Sequence, residues 1–204
     1  MKKIEYDYYQ KGDSVEKIIV AIHGWQGNRY SMRPIVNMIK SNNIGWILLE
    51  APFTVENGEG KSWSYQLTDG EWEIEEPRQL LLDFFKSLFF KYPKQPIYVL
   101  GFSQGAMICL DFVLHLSTPL GGVFPVCGFL REPKLEIDRF HPCQKNTPVL
   151  IGHGKNDITV PPEASKIAFE LLKNQGANVE LLLYNGRHKI SLKYLNRMVE
   201  IINE

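Results

Sequence analysis

Apolar and β-branched residues recur in runs along the chain, and longer amphipathic segments separate the runs. The six runs are VEKIIVAIHG, IGWILLEAPF, IYVLGF, GGVFPVCG, TPVLIGHG and NVELLLYN. Each is nearly continuous in apolar residues, which is typical of strands buried on both faces of a parallel sheet. The first two are predicted to end near His23 and Glu50. The stretch IEYDYYQ near the N-terminus alternates instead, and it predicts an antiparallel edge strand.

The segments between the runs carry apolar residues at helical spacing. Three of them are EPRQLLLDFFKSLFFKYP, PPEASKIAFELLKNQG and ISLKYLNRMVEII. In the first, Leu81, Phe85 and Leu88 form one apolar face. A fourth segment, GAMICLDFVLHL, is apolar almost all round, as a buried central helix should be. The alternation predicts a single α/β domain over residues 1–204, with helices on both faces of a mostly parallel sheet.

Composition narrows the class of partner. Lys and Arg together number 23, as do Asp and Glu, so no net field attracts nucleic acid or an anionic membrane. No apolar window is long enough for a membrane span, and MKKIEYDYYQ lacks the apolar run of a signal peptide. The three cysteines are odd in number and two lie in apolar runs, which predicts reduced thiols and a cytoplasmic location.

A metal or a cofactor is not indicated by the sequence. His141 and Cys143 flank Pro142 and offer two potential ligands, but no further motif completes a metal site. We interpret this tripeptide as part of a loop and expect no cofactor.

The clearest candidate for chemistry is Ser103, which lies between Gly101 and Gly105 at the junction of a predicted strand and a predicted helix. This Gly-x-Ser-x-Gly arrangement is the nucleophile elbow, in which side chains at the flanking positions would clash within the tight turn. The turn lifts the serine to the carboxyl edge of the sheet, where open α/β sheets bind ligands. A five-residue motif also arises by chance, so the hypothesis depends on its partners.

A serine nucleophile needs a base and an orienting acid, expected in the order serine, acid, histidine after successive strands. Asp157 follows the strand TPVLIGHG, and His188 follows the last strand. We predict that Asp157 is the acid and His188 the base. Because the base must be neutral to accept the serine proton, activity should fall on the acid side of one ionisation.

Other histidines and aspartates fit these roles less well. Asp111 and His115 are four residues apart on the predicted nucleophile helix, and we expect a solvated pair there. Asp138 and His141 have no strand before them. His23 and His153 each precede a glycine at a strand end, where a histidine is more often a hydrogen-bonded structural residue.

Hydrolysis of an ester also requires donors for the developing oxyanion. One predicted donor is the backbone N–H of Gln104, directly after the nucleophile. The second is the N–H of Trp25 in the loop IHGWQGN, although this loop could also be a glycine-rich turn without such a role. Residues 54–75 contain Trp63 and Tyr65, which we predict to bind substrate as part of a short apolar wall.

Taken together, HGWQGN, GFSQGA, HGKNDITVPPEAS and GRHKIS resemble the α/β-hydrolase superfamily. The most similar branch is the small phospholipase/carboxylesterase group, which includes acyl-protein thioesterases and dienelactone-hydrolase-like enzymes. The resemblance spans about residues 17–200. It implies a serine hydrolase for carboxylic esters or thioesters. It also matches Ser103, Asp157 and His188 to the triad, and Trp25 and Gln104 to the oxyanion positions. The residues themselves predict no large lid, because LREPKLEIDRFHPC is too charged and too broken by prolines to form a large apolar flap.

Two departures from the group concern the substrate. Trp25 stands where relatives commonly carry a smaller aliphatic residue, which would narrow the acyl pocket. The segment around Trp63 resembles the group's Ser-Trp loop only through Ser62-Trp63. The resemblance therefore predicts the reaction better than the substrate.

Two other functions are weighed against this one. The sequence GEGKS suggests a phosphate-binding loop, but Val55 stands where that motif needs its first glycine. A non-catalytic binding protein with the same fold is the alternative reading, and it would be expected to lack a member of the triad. The sequence contains all three.

Overall fold

The computed structural model describes residues 2–55, 58–68, 70–134 and 136–204. Its strands are β1 (Glu5–Lys11), β2 (Lys17–Ile22), β3 (Ile44–Glu50), β4 (Phe53–Thr54), β5 (Lys61–Ser62), β6 (Tyr65–Gln66), β7 (Trp72–Glu73), β8 (Ile97–Phe102), β9 (Gly122–Val126), β10 (Val149–Gly154) and β11 (Val179–Tyr184). Its α-helices are α1 (Arg33–Met38), α2 (Glu75–Lys91), α3 (Gln104–Asp111), α4 (Pro162–Asn174) and α5 (Leu192–Asn203).

Seven strands form one central sheet in the order β1-β3-β2-β8-β9-β10-β11. All neighbours pair in parallel except β1, which is antiparallel to β3 at the edge. The predicted mostly parallel sheet and its antiparallel edge strand are therefore confirmed. Because β2, β8, β10 and β11 run in one direction, the loops that follow them lie along the same edge of the sheet.

The sheet is buried on both faces, as continuous apolar strands require. Ile18, Val20 and Ile22 of β2 belong to the core on one face. Ile19 and Ala21 belong to the core on the other face.

Helices supply the remaining residues of both cores. Helices α2, α3 and α4 contribute Leu81, Ile108 and Leu171 to one core. Helices α1 and α5 contribute Ile35 and Leu195 to the other. This confirms the predicted fold class of helices on both faces. No helix in the described part of the chain has both the length and the apolar content that crossing a bilayer requires.

Local structure differs from the predictions in three places. The nucleophile helix α3 ends at Asp111, and a separate 3-10 turn covers Val113–His115, so the predicted helix is too long. The short helix α1 has no predicted counterpart. Between residues 53 and 73, two small antiparallel pairs, β4-β5 and β6-β7, lie outside the central sheet. The extent of the single domain over residues 1–204 stays a prediction.

Candidate active site

Ser103 occupies a strained turn between β8 and α3. Its backbone has φ 54° and ψ −114°, a region that residues with a side chain rarely adopt. A Cβ atom on Gly101 would collide with the carbonyl oxygen of Gly105, and one on Gly105 would collide with that of Ile22. The glycines on both sides are therefore sterically required, as the elbow interpretation predicts. The Ser103 N–H donates to Val126 O at 2.9 Å and fixes the turn against β9.

Asp157 and His188 meet at the same edge of the sheet. The loop after β10 carries Asp157, the loop after β11 carries His188, and Asp157 Oδ2 lies 2.7 Å from His188 Nδ1. Asp157 Oδ1 accepts the N–H groups of Thr159 and Val160 at 2.9 and 3.1 Å. These contacts hold a buried carboxylate in one orientation against the imidazole, which leaves His188 Nε2 for another partner.

The protonation state of Asp157 follows from these contacts. Burial disfavours its ionised form, but hydrogen bonds from His188, Val160 and Thr159 outweigh burial, so the pKa of Asp157 lies below its ordinary value. The carboxylate is therefore charged at neutral pH and can stabilise a protonated His188.

The ring of His188 packs against Phe102. The two ring centroids are 4.9 Å apart, and Phe102 directly precedes Ser103. Among the described residues, Ser103 Oγ has no hydrogen-bond partner, so no bond to His188 is formed in this conformation. Catalytic hydrogen bonds of this kind often tighten only when substrate binds.

His153 is a second histidine on the same carboxylate. It is fully buried, and its Nε2 lies 3.2 Å from Asp157 Oδ2 and 2.9 Å from Val160 O. Its Nδ1 lies 2.6 Å from Ser165 Oγ. Burial lowers the pKa of His153, so its imidazole is neutral and donates from Nε2. His153 is a hydrogen-bonded structural residue, as predicted, but the prediction missed that it also faces Asp157.

One group in the described residues has the composition of a metal site. Ligand atoms of Cys127, His153 and Asp157 lie within 4.8 Å of one another. His153 Nε2 faces the carbonyl oxygen of Val160 and therefore carries a proton rather than a free lone pair. Both oxygens of Asp157 already accept hydrogen bonds. The group fits a hydrogen-bond network around the carboxylate better than a metal centre.

The loop after β2 passes directly beside Ser103. A Cβ atom on Gly24 would lie 3.1 Å from Ser103 Cβ. The His23 side chain connects this loop to the end of β3. Its Nδ1 is 2.7 Å from Gly24 O, and its Nε2 accepts the Ala51 N–H at 3.1 Å. The N–H of Trp25 has no acceptor among the described residues, and the first N–H groups of a helix have no intrahelical partner. The geometry therefore supports Trp25 and Gln104 as oxyanion donors.

The side chain of Gln104 ties the segment from Ser62 to Ser64 to the start of α3. Its Oε1 accepts the Trp63 N–H at 3.1 Å, and its Nε2 donates to Ser62 Oγ at 3.0 Å and Ser64 Oγ at 3.3 Å. Trp63 is fully buried, and its Nε1–H donates to His23 O at 2.8 Å. Trp63 therefore supports the loop after β2 and does not line the cleft at Ser103, although it does line a neighbouring cavity. Its contact with substrate stays a prediction.

A cleft of about 810 Å³ opens at Ser103. Its lining is largely apolar and comprises Trp25, Ser64, Glu71, Trp72, Ile74, Ser103, Gln104, Met107, Phe129, Leu130, Arg131 and Glu132. Tyr65 is absent from this wall; its ring packs on Phe53 and its hydroxyl donates to Glu76 Oε2 at 3.2 Å. The predictions missed Phe129 and Leu130, although their position after a parallel strand could have indicated them.

The predicted pair of Asp111 and His115 is wrong. Helix α3 ends at Asp111, so the two residues do not share a helical face. Asp111 Oδ2 instead accepts the Arg131 N–H at 3.0 Å. The interpretation of His141 is confirmed, because its Nδ1 accepts the Cys143 N–H and caps the short turn that follows.

Three neutral histidines, of which His23 and His153 are buried and His115 is partly buried, predict a loss of stability in mild acid. Burial lowers the pKa of His23, His115 and His153, whereas in the unfolded chain each regains an ordinary value of about 6.5. The unfolded state then binds more protons than the folded state, so the free energy of unfolding falls as the pH drops below about 6.5. Urea unfolding at several pH values between 8 and 5 measures the effect.

Urea unfolding of His115→Gln over the same pH range isolates the contribution of His115 to the pH dependence of stability. The variant should show a shallower decrease of stability with falling pH, because one depressed pKa is removed. The pKa of Asp157 is lowered rather than raised, so that carboxylate titrates below this window. A free energy of unfolding that stays constant from pH 8 to pH 5 would contradict the assignment of neutral buried imidazoles.

Comparisons with known sequences point in one direction. The sequence profile of the family described as Phospholipase/Carboxylesterase matches residues 8–204. The chain is 28% identical to carboxylesterase SOBER1 of Arabidopsis thaliana over 203 residues, covering 89% of each chain. It is also 28% identical to acyl-protein thioesterase 1 of Candida albicans over 218 residues, covering 94% of this chain and 93% of the relative.

Solved structures agree with the sequence comparisons. The crystal structure of Arabidopsis thaliana SOBER1 is similar with a TM-score of 0.75 at 27% identity, covering 92% of this chain and 97% of that one. The crystal structure of esterase PE8 gives a TM-score of 0.84 at 20% identity and covers 98% of both chains. At that identity the likeness to PE8 concerns the fold alone. These likenesses confirm the fold class predicted from the alternation of apolar runs and helical segments and from the family resemblance.

Proposed function

The chain belongs to the phospholipase/carboxylesterase family of the α/β-hydrolase superfamily, and from this premise we propose that it hydrolyses small or medium acyl esters or thioesters through an acyl-enzyme on Ser103. Family membership supports an esterase or thioesterase. The observation that carries the finer proposal is the pair of Asp157 and His188, joined at 2.7 Å beside a strained serine elbow. The pair and the serine lie at the same edge of the sheet, and the serine faces an apolar cleft.

In the proposed first half-reaction, His188 Nε2 accepts the proton of Ser103 while Oγ attacks the carbonyl carbon of the substrate. Asp157 stabilises the imidazolium that forms, because its carboxylate bonds the opposite ring nitrogen. The N–H groups of Trp25 and Gln104 receive the oxyanion. When the tetrahedral intermediate collapses, His188 returns its proton to the departing alcohol or thiol, and the acyl group remains on Ser103.

Deacylation repeats these steps with water. His188 accepts a proton from the water as its oxygen attacks the acyl carbon, and then protonates Ser103 Oγ as the carboxylic acid leaves. Both half-reactions place negative charge at the same point beside Gly24 and α3. Hydrogen bonds made by His23 and by the Gln104 side chain hold the backbone around the two donor N–H groups in place. This supports Trp25 and Gln104 as the oxyanion donors, since preorganised donors give the largest stabilisation of the transition state.

The remaining parts of the proposal concern substrate and location. A small-molecule ester or thioester fits the cleft, and we propose a cytoplasmic location because all three cysteines are free thiols. Hydrolysis of a panel of acyl esters and acyl thioesters by the purified protein tests the activity. Turnover of neither class would leave the alternative, a non-catalytic binding protein, as the better account.

Acyl chain length should affect the rate in two phases. We expect kcat/KM to rise over the first few acyl carbons, by up to about fourfold per methylene from about 0.8 kcal/mol of burial. It should then level off or fall, because Trp25 and Trp72 are themselves 54% and 52% exposed and leave distal methylenes in water. Kinetics with monomeric p-nitrophenyl esters from acetate to dodecanoate measure both phases.

Trp25 should contribute to the limit. Trp25→Ala is expected to shift the optimum toward longer acyl chains, while Tyr30→Ala, a similarly exposed aromatic outside the cleft lining, should not. A kcat/KM that keeps climbing to dodecanoate in the parent enzyme would contradict the short apolar wall.

A further inference from the structure

A second cavity, of about 230 Å³, lies beside the cleft that opens at Ser103. Four residues line both spaces: Ile74, Met107, Arg131 and Glu132. Helix α3 borders both spaces: Ser103, directly before its first turn, lines the cleft, and Asp111, at its last turn, lines the second cavity. The eight residues of α3, Gln104–Asp111, correspond to about 12 Å along the helix axis. A group bound in the second cavity could therefore belong to a molecule that reacts at Ser103.

Three arginines line this second cavity, which we call the arginine cavity: Arg78, Arg131 and Arg139. Arg139 is only 4% exposed, and its Nε has no hydrogen-bond partner among the described residues. Arg131 is half-buried, and its Nε contacts only the weak acceptor Met107 Sδ at 3.4 Å. In the described part of the chain, neither guanidinium forms an ion pair with a carboxylate. Buried cations are normally paired, so this arrangement calls for an anionic partner.

The acidic residues of the arginine cavity do not supply that partner. Glu132 is exposed and pairs with Lys134 at 3.2 Å. Asp111 Oδ2 accepts the backbone N–H of Arg131 at 3.0 Å, but among the described residues no guanidinium nitrogen forms an ion pair with this carboxylate. Burial lowers the pKa of His115, so that side chain adds no charge. Arg78 forms an ion pair with Glu75 at 3.4 Å. The guanidinium groups of Arg131 and Arg139 therefore face one inward carboxylate, that of Asp111, which leaves the cavity positive.

Arg139 also has a structural contact. Its Nη2 donates to the carbonyl oxygens of Glu132 and Lys134, which ties down the loop after β9. This uses one nitrogen of the guanidinium and leaves Nε directed at no acceptor. Holding the loop after β9 therefore explains the position of Arg139 Nη2 but not the burial of Nε without an acceptor.

We propose that the arginine cavity binds a carboxylate or phosphate group carried by the substrate about 12 Å from the carbonyl that reacts at Ser103. The inference rests on the proposed function and narrows its substrate class to esters or thioesters with a distal anion. An extended chain of roughly eight to ten carbons spans this distance, because each carbon–carbon bond is about 1.5 Å long. The anion belongs either to the acyl chain or to the alcohol, and the test separates the two.

The test compares two matched pairs of esters. The first pair is p-nitrophenyl decanoate and the p-nitrophenyl monoester of decanedioic acid, which places the carboxylate on the acyl chain. The second pair is decyl acetate and the acetate ester of 10-hydroxydecanoic acid, which places it on the alcohol. In one of the pairs we expect kcat/KM for the carboxylated ester to exceed that of its neutral partner by at least about tenfold. A ratio at or below one in both pairs overturns the inference.

Variants connect the preference to the cavity. Arg139→Met and Arg131→Met should each lower the ratio of carboxylated to neutral kcat/KM by about tenfold or more, and Arg139→Lys should retain part of it. Arg33→Met is the matched control, since Arg33 begins α1 and its guanidinium lies over the ring of Tyr9 in β1, away from the arginine cavity. It should leave the ratio unchanged. Because Arg139 is buried, Arg131→Met keeps the test decisive if Arg139→Met fails to fold. A ratio that survives in every folded cavity variant overturns the inference.

A binding measurement separates this inference from the proposed function. With Ser103→Ala, decanedioate should raise the melting temperature more than decanoate does, and Arg131→Met in that background should remove the difference. Hydrolysis of neutral esters without any preference for a carboxylate would sink the inference and leave the function standing. Preferential binding of decanedioate by a protein that hydrolyses no ester would support the anion site and contradict the proposed function.

Discussion

Replacement of Ser103 by alanine is expected to lower kcat for ester hydrolysis by about 10⁴-fold or more. The reason is that Ser103 Oγ supplies the covalent step, and no other described hydroxyl lies at the strained turn next to His188. Alanine fits the same backbone, because the turn is held by the Ser103 N–H and by the flanking glycines rather than by the hydroxyl. Circular dichroism and urea unfolding should therefore match the parent protein while steady-state turnover is lost.

Ser87→Ala provides the control, because Ser87 is exposed on α2 and away from the cleft. It should retain the parent rate. If purified, folded Ser103→Ala kept more than about a tenth of the parent activity, Ser103 would not be the nucleophile.

Asp157→Asn is expected to reduce kcat by about 10³–10⁴-fold with a small change in KM. An asparagine amide in this position can donate to His188 Nδ1, which would place the imidazole proton on Nε2 and remove the base. The loss should exceed that of a simple charge deletion, because Asp157 Oδ2 lies within 3.2 Å of both His153 and His188. Steady-state kinetics with a neutral ester separate kcat from KM.

Asp83→Asn is the matched control, since Asp83 is exposed on α2 and bonds only Gln79. Its kinetics should equal those of the parent. Near-normal kcat in Asp157→Asn would assign the orienting role to another carboxylate.

The three residues of the proposed triad could be grouped from the sequence because each follows a strand that is clear from its own sequence. Ser103, Asp157 and His188 come directly after apolar runs that correspond to β8, β10 and β11. Parallel strands bring their carboxyl ends to one edge, so order along the chain was enough to group distant residues. The two flanking glycines of Ser103 indicated a tight turn for the same local reason.

Features that depend on contacts between distant segments were not predictable. Trp63 lies among polar residues, and its burial results from hydrogen bonds to Gln104 and His23, each about forty positions away. The sharing of Asp157 by His153 depends on the way the loop after β10 folds back.

The arginine cavity also depends on tertiary structure. Arg131 and Arg139 lie in LREPKLEIDRF. This charged sequence predicts a solvent-exposed segment, whereas in the structure it packs against α3. The periodicity of the chain carries no information about this packing, because the segment contains no helix or strand in its described part.

Covalent labelling with a fluorophosphonate tests the central claim, that His188-activated Ser103 is the nucleophile, most directly. The account predicts one adduct per chain in intact-mass analysis, located on Ser103 by peptide mapping, with labelling strongly slowed in His188→Ala. Loss of ester hydrolysis should follow the extent of labelling. An active enzyme that remains unlabelled at Ser103, or that loses activity through an adduct at another residue, would contradict the account.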